Sequence, residues 1–184
     1  MSSGQAIRMV AGVWDSETYV DNSTTEIILG AIVKGSGTSV WGTGAKSKAD
    51  TWFEQSKQLG SGYHLSVKAV AIYWDPSAAP NDVALVTRDG WMTIQIGSGV
   101  HFELPIERLT SGSGLFWSAG ATAAPLFATS GVPDPRAVFT ITQETIEIGG
   151  QDQINWKINW TSAVNTAANV KFRAHMLGVL DRPI

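Results

Sequence analysis

Three histidines are the residues of this chain best suited to bind a metal ion or to transfer a proton near neutral pH. His64, His101 and His175 lie far apart in the sequence, with no spacing typical of a metal site. Each alternates with apolar neighbours on a predicted strand, which places it on the polar face of that strand. We therefore interpret all three as solvent-facing residues, not as metal ligands or catalytic bases.

Acidic residues offer one further candidate for metal chemistry. Asp15, Glu17 and Asp21 fall close together, and Ca²⁺ prefers oxygen ligands of this kind. Their spacing does not match an EF-hand loop, and the terminal Glu of that loop is missing. Asp134 and Asp152 are isolated. The sequence thus predicts no metal site.

Nucleophile and phosphate-binding motifs are absent from the sequence. Gly-Ser-Gly recurs at 35–37, 60–62, 97–99 and 112–114, without the Lys-Ser/Thr of a phosphate-binding loop or the pattern of a serine-hydrolase elbow. We interpret these triplets as turns. No cysteine is present, so disulfides and thiolate sites are excluded. We expect no catalytic residue, no cofactor-binding residue and no cofactor, and hence no enzyme.

Eight tryptophans are the unusual feature of the composition. Exposed indole rings on a β-sandwich can stack on sugar rings, which favours a carbohydrate-binding function. However, Trp156 and Trp160 are in phase with Ile154 and Ile158, which predicts that both lie in the core. Core packing or contact between subunits is therefore the preferred interpretation for these rings.

The length and the charge of the chain limit the functional classes to which the protein can belong. The chain has 184 residues, enough for one domain with a substantial core, and 43% of them are hydrophobic. Its net charge of −3 argues against a general nucleic-acid-binding protein, which needs a basic surface. No segment is predicted to be a leader or a transmembrane helix. Only 16% of the residues are charged, which suits a surface that contacts other copies of the chain and equally a soluble β-rich domain with many Ser, Thr and Asn on its surface.

Period-two alternation between glycine-rich turns predicts an antiparallel β-sandwich. The clearest unit is a hairpin over Trp91–Leu104, with Met92, Ile94, Ile96, Val100, Phe102 and Leu104 on its apolar face. We expect Ile94, Phe102, Phe139, Ile158 and Phe172 to be buried and His101, Lys157 and Arg173 not to be.

Other segments complete the predicted architecture. Glu26–Val33 is predicted to be a strand, Lys48–Lys57 a short helix, and Ala121–Pro135 a long surface loop. From Gly62 to Trp74 the alternation becomes apolar on both faces, so this strand is covered either by a loop or by another subunit. We predict an all-β, eight-stranded jelly-roll sandwich forming a single domain over residues 1–184, with residues 1–24 as an N-terminal arm or edge segment.

Several turns and strand ends carry a resemblance to a known family. They are Asp89–Gly97, His101–Pro105, Leu109–Gly114, Gly131–Arg136 and Leu177–Ile184. In this order they resemble the upright jelly-roll capsid proteins of icosahedral, often membrane-containing, bacterial and archaeal viruses. The likeness extends from about Thr51 to the C-terminus. With room for one jelly roll, the chain looks like the single-jelly-roll branch, as a major capsid or a vertex protein.

The resemblance implies a structural role in the virion and no catalytic site. Such proteins form homo-oligomeric capsomers, commonly share the lattice with a second capsid protein, and frequently enclose an internal viral membrane; no specific nucleic acid is implied as a partner. The sequence leaves open whether a membrane is present and whether the virus is a bacteriophage. The alternative function is a carbohydrate-binding module or lectin of the same fold. For the capsid function, we expect Ala69–Trp74 to be covered by a second subunit.

Overall fold

The computed structural model describes residues 7–109, 115–116, 129–130, 138–141 and 145–183. Antiparallel strands dominate these residues. The strands are β1 (Ile7–Tyr19), β2 (Glu26–Leu29), β3 (His64–Trp74), β4 (Gly90–Ile96), β5 (Gly99–Pro105), β6 (Leu115–Phe116), β7 (Thr129–Ser130), β8 (Phe139–Thr140), β9 (Ile146–Gly149), β10 (Ile154–Trp160) and β11 (Val170–Arg182). The helices are α1 (Pro80–Arg88) and a 3₁₀ helix (Ile106–Leu109).

Two sheets pack face to face as a sandwich. One has the strand order β1-β11-β3-β8, with β9 also paired to β3, and the other has the order β2-β10-β4-β5. Within the described residues nine strands build these sheets, one more than predicted. β8 pairs with Ala69–Val70 and β9 with His64–Val67, so together they take the place of one interrupted strand along β3. With β8 and β9 counted together, this is the strand order of a jelly roll.

The predicted hairpin is confirmed. β4 and β5 pair from Trp91↔Pro105 to Ile96↔Gly99, with an irregularity between Ile94 and Gln95. The irregularity places Val100 opposite Gln95, whereas Phe102 lies opposite the buried Ile94. The prediction that Val100 belongs to the apolar face is therefore wrong, because the shift in register turns it to the side of Gln95, where it is 59% exposed.

The core lies between the two sheets, as the alternation predicts. β10 contributes four buried residues at every second position, and Phe172 lies opposite on β11. The buried residues of β10 are Ile154, Trp156, Ile158 and Trp160. Of the five residues expected to be buried, four are, and Phe139 is only half-buried. Of the three residues expected not to be buried, His101 is exposed and Lys157 and Arg173 are partly exposed. The core assignment of Trp156 and Trp160 is confirmed.

The predicted helix over Lys48–Lys57 is wrong. This segment turns and then bridges β1, because Thr51 pairs with Asp15 and the Trp52 N–H donates to the Trp14 carbonyl at 2.9 Å. The backbone groups that a helix would use are thus engaged with a strand. The observed helix, α1, begins at Pro80 and packs against the sandwich, where the Trp160 indole N–H donates to the Val86 carbonyl at 2.8 Å.

Two further expectations need adjustment. The strand predicted over Glu26–Val33 ends at Leu29, because the chain turns at Gly30 with φ of +71°. In Ala121–Pro135, residues 121–128 and 131–135 lie outside the described residues, while Thr129–Ser130 form β7, which pairs with β6.

β3 does not need a second subunit to cover it. It lies inside its sheet, between β11 on one side and β8 and β9 on the other. Trp74 faces the core, and Ala71 on the opposite face is only 9% exposed within one chain. The premise that a single chain leaves Ala69–Trp74 exposed is therefore wrong, because the fold itself already buries most of this segment. Contact of this segment with another subunit stays a prediction.

Candidate functional site

The three histidines lie on separate parts of the sandwich surface. His101 is exposed on β5, as predicted. His64 is half-exposed on β3, and its Nε2 lies 3.3 Å from a carboxylate oxygen of Glu147 on β9. Among the described residues, no group of three or more His, Cys, Asp or Glu side chains is arranged to hold a metal ion.

His175 departs from the solvent-facing interpretation. It lies on the outward face of β11 but is only partly accessible. Burial and the nearby Arg173 guanidinium lower the pKa of His175 to about 4. The imidazole is therefore neutral at neutral pH and forms part of the packed surface.

Asp15 and Glu17 bind a lysine ammonium in place of the Ca²⁺ considered above. Lys46 Nζ lies 2.9 Å from Asp15 Oδ1 and 2.6 Å from Glu17 Oε1, and it also donates to the Ser16 carbonyl at 2.8 Å. Asp15 and Lys46 are both buried. Asp21 lies elsewhere, where its Oδ1 accepts a hydrogen bond of 2.7 Å from the Thr166 N–H. The three acidic side chains thus do not form one site.

Burial dominates the electrostatics of this ion-pair network. It raises the pKa of both Asp15 and Glu17, and the Lys46 ammonium offsets the increase only in part. Asp15 Oδ2 also accepts a 2.7 Å hydrogen bond from the Gly30 N–H, at the start of the segment that joins β2 to β3. We call residues 30–63 the β2–β3 loop. The network therefore ties this loop to the edge strand β1.

A second carboxylate organises the β2–β3 loop internally. Asp50 is fully buried, and its oxygens accept hydrogen bonds from the N–H groups of Val40, Trp41 and Ser47 at 2.8, 3.1 and 2.9 Å. The Ser39 hydroxyl donates to it as well. Burial alone would raise the pKa of Asp50, but these donors together outweigh it and lower the pKa to about 2. Asp50 is thus ionised at neutral pH, and the loop folds around its carboxylate.

Ser16 connects the same loop to the sheet. Its hydroxyl oxygen accepts from the Trp41 indole N–H at 2.7 Å and from Arg173 Nε at 3.0 Å. Arg173 also donates to the Ala49 carbonyl at 2.6 Å, and its guanidinium lies 5.4 Å from the centre of the Trp41 ring. Two adjacent strands therefore hold the loop against the outer face of the sheet.

These contacts divide the edge of β1 into two halves. The loop covers the half from Trp14 to Tyr19 through Asp15, Ser16 and Glu17. The half from Ile7 to Val13 has no such cover among the described residues, and Ile7, Met9 and Val10 are 52%, 42% and 92% exposed. We call residues 7–13 the open edge of β1.

A cleft of about 450 Å³ lies between the open edge and the loop. Its aromatic lining comes from Trp14, Trp52 and Tyr63, beside cationic and anionic side chains that include Lys34 and Glu54. The Trp52 ring meets the Tyr63 ring edge to face, with 5.3 Å between centroids. The Trp14 indole N–H is already committed to the Lys48 carbonyl at 3.2 Å. The cleft thus offers apolar and charged surface to a ligand.

Sequence reasoning missed the residues that shape this region. Lys46 and Lys48 stand two apart among small residues, and nothing in the sequence distinguishes the buried ammonium from the exposed one. The spacing Ser47-x-x-Asp50 did carry a signal, because it marks a position where side chains bind nearby backbone N–H groups. That signal identifies a local turn but not the contact with β1.

Comparison of the chain with protein-family models, with curated proteins and with solved structures found no match. A functional argument therefore starts from the strand order and the surface of this chain. Within its described residues, no helix has the length and hydropathy needed to cross a bilayer.

Proposed function

We propose that this protein is a structural capsid protein that assembles through oligomeric capsomers into the shell of an icosahedral virus. The observation that supports the proposal is the pair of packed sheets whose strands follow the order of a jelly roll. This architecture is used by viral capsid domains and by lectins and cupins. Fold alone does not decide among these functions, so the surface has to be considered as well.

The surface favours assembly over ligand binding. β1 is a long outermost strand whose open edge is mostly apolar and is not covered by any of the described residues, whereas soluble monomers normally protect such edges with charge or proline. In a shell each subunit contacts several neighbours, so an edge of this kind is covered. The low content of charged residues, 16%, suits the same use.

One observation supports a carbohydrate-binding function as the second candidate. The cleft beside β1 presents the rings of Trp14, Trp52 and Tyr63 to a space of about 450 Å³, a volume within the range of small-ligand sites. Aromatic rings bordered by charged groups suit a saccharide. The two functions make different predictions for the purified chain.

We expect the purified chain to sediment above monomer mass, with a fraction of oligomer that rises with protein concentration. Analytical ultracentrifugation over a wide concentration range measures this, and tryptophan fluorescence during titration with a glycan panel is the companion measurement. A chain that stays monomeric while its fluorescence saturates with one glycan would contradict the capsid function and favour the lectin.

A further inference from the structure

The main-chain groups of the open edge point away from the sheet at alternate residues. The Trp52 N–H donates to the Trp14 carbonyl at 2.9 Å, so the main chain of Trp14 faces away from β11. In an antiparallel ladder this direction alternates from residue to residue. The pairing of β1 with β11 runs without a break from Ile7 to Tyr19. The N–H and C=O groups of Arg8, Val10 and Gly12 therefore face outward too.

These outward groups have no hydrogen-bond partner among the described residues. The side chains beside them give little protection. Val10 is 92% exposed, and Arg8, the only charged residue of the open edge, is paired with Asp181 at 2.9 Å. A row of unpaired main-chain groups flanked by apolar side chains is a template for another strand.

The opposite sheet shows what a protected edge looks like in the same protein. One of its two outermost strands, β5, carries Glu103 and Pro105, a charge and a proline that hinder the addition of a further strand. The open edge of β1 has no proline and one charged residue, Arg8, which is ion-paired with Asp181. β1 and β5 therefore differ in the property that controls strand addition.

We infer that the open edge pairs antiparallel with the open edge of a second copy of this chain, about a twofold axis at Val10. In this register Val10 lies opposite Val10 of the second copy and Arg8 opposite its Gly12. All three outward residues of each strand then exchange main-chain hydrogen bonds with outward residues of the other. A homodimer formed by the same surface on both copies is the commonest symmetric assembly.

Side-chain chemistry agrees with this register. Arg8 faces a glycine, so no like charges lie opposite each other, and the two exposed valines at the axis form an apolar cross-strand pair. The bridge between Asp15 and Thr51 sets the limit of pairing, because the β2–β3 loop occupies the edge from Trp14 onward. The open edge is thus long enough for the three pairs that the register needs.

This inference rests on the proposed function in one respect, because it names a contact by which capsomers would form. The test uses charge at the axis. Val10→Lys and Val10→Glu should each weaken dimerisation about tenfold or more, because each places two like charges opposite one another. An equal mixture of the two variants should form a heterodimer, since an ammonium then faces a carboxylate.

Sedimentation velocity measures the dissociation constants, and native mass spectrometry identifies the heterodimer. The control is Val100→Lys, which changes an exposed valine on the outermost strand of the other sheet and should leave dimerisation unchanged. Circular dichroism of each variant checks that it is folded. Wild-type protein that stays monomeric, or folded Val10 variants that dimerise as tightly as wild type, would overturn the inference.

Failure of this contact and failure of the proposed function can be told apart. Dimerisation that is unaffected by Val10→Lys in a protein that still forms shells removes the open edge from the assembly and leaves the function intact. Charge-dependent dimerisation in a protein that forms no shell supports the contact and removes the function.

Discussion

Replacing Lys46 by methionine should lower the free energy of unfolding by about 3–5 kcal/mol at neutral pH, because it leaves a buried carboxylate without its partner. Asp15 is fully buried and Glu17 is mostly so, and each has its oxygen within 2.9 Å of the ammonium that the change removes. Denaturant titration followed by tryptophan fluorescence measures the loss. Lys48→Met is the matched control, since Lys48 is exposed two residues away, and its effect should stay below about 0.5 kcal/mol.

The loss of unfolding free energy caused by Lys46→Met should also depend on pH in a defined direction. Burial holds the folded-state pKa of Asp15 and Glu17 above the unfolded value, and removal of the ammonium raises both further. Such groups favour the folded state below the unfolded pKa, and this contribution is lost as the pH rises through the folded pKa. The difference in the free energy of unfolding between variant and wild type should thus become smaller toward about pH 4. A gap that is constant from neutral to acidic pH would contradict the role given to the ion pair.

Replacing Asp50 by alanine should lower the free energy of unfolding by about 3 kcal/mol, because it leaves the buried N–H of Val40 and the partly buried N–H groups of Trp41 and Ser47 without their acceptor. The pKa of Asp50 is lowered to about 2, below its unfolded value. Its stabilising contribution is therefore present above the unfolded pKa, about 4, and is lost as the pH falls through the folded value of about 2. Denaturant unfolding titrations of wild type and Asp50→Ala at neutral pH and near pH 2 measure the difference in unfolding free energy, which should be smaller near pH 2.

Asp75→Ala provides the control for Asp50. Asp75 also accepts from a nearby N–H and hydroxyl, both of Ser77, but in an exposed turn where water can replace it. We expect a loss of no more than about 1 kcal/mol there. Equal losses for the two variants would show that burial of the loop donors does not matter, against our description of the loop.

Strands with one solvent-exposed face and one buried face could be predicted from the sequence. β10 alternates Ile and Trp with Asn and Lys, and the hairpin of β4 and β5 alternates in the same way around a glycine turn, so both were predicted correctly. In β10 burial follows period two alone, which a sequence displays directly. In the hairpin the irregularity at Ile94 and Gln95 interrupts that period, and there the prediction for Val100 is wrong.

Segments whose conformation depends on contacts with residues distant in the sequence could not be predicted. α1 contains Val83, Val86 and Thr87, β-branched residues that favour strands, although Pro80 at its first turn is a typical helix start. The segment 48–57 has helix-compatible residues but bonds to β1 instead. Its conformation is decided by Asp15 and Trp14, more than thirty residues earlier, and local propensity contains no information on that contact.

The open edge of β1 illustrates the same limit for the site. Within the described residues β1 is an outermost strand of its sheet, and the interpretation of residues 1–24 as an arm or edge segment stays a prediction. It did not anticipate that a loop would cover only the second half of the strand. That division follows from Lys46 and Ser16, whose partners are known only once the chain is folded.

Cryo-electron microscopy of particles purified from the native source tests the central claim most directly. The account predicts an icosahedral shell containing this chain in many copies, each recognisable as two sheets in the order β1-β11-β3-β8 and β2-β10-β4-β5. Quantitative mass spectrometry of the same particles should find the chain among their most abundant proteins. Particles that lack the chain, or a chain recovered only as a free protein bound to glycan, would contradict the claim.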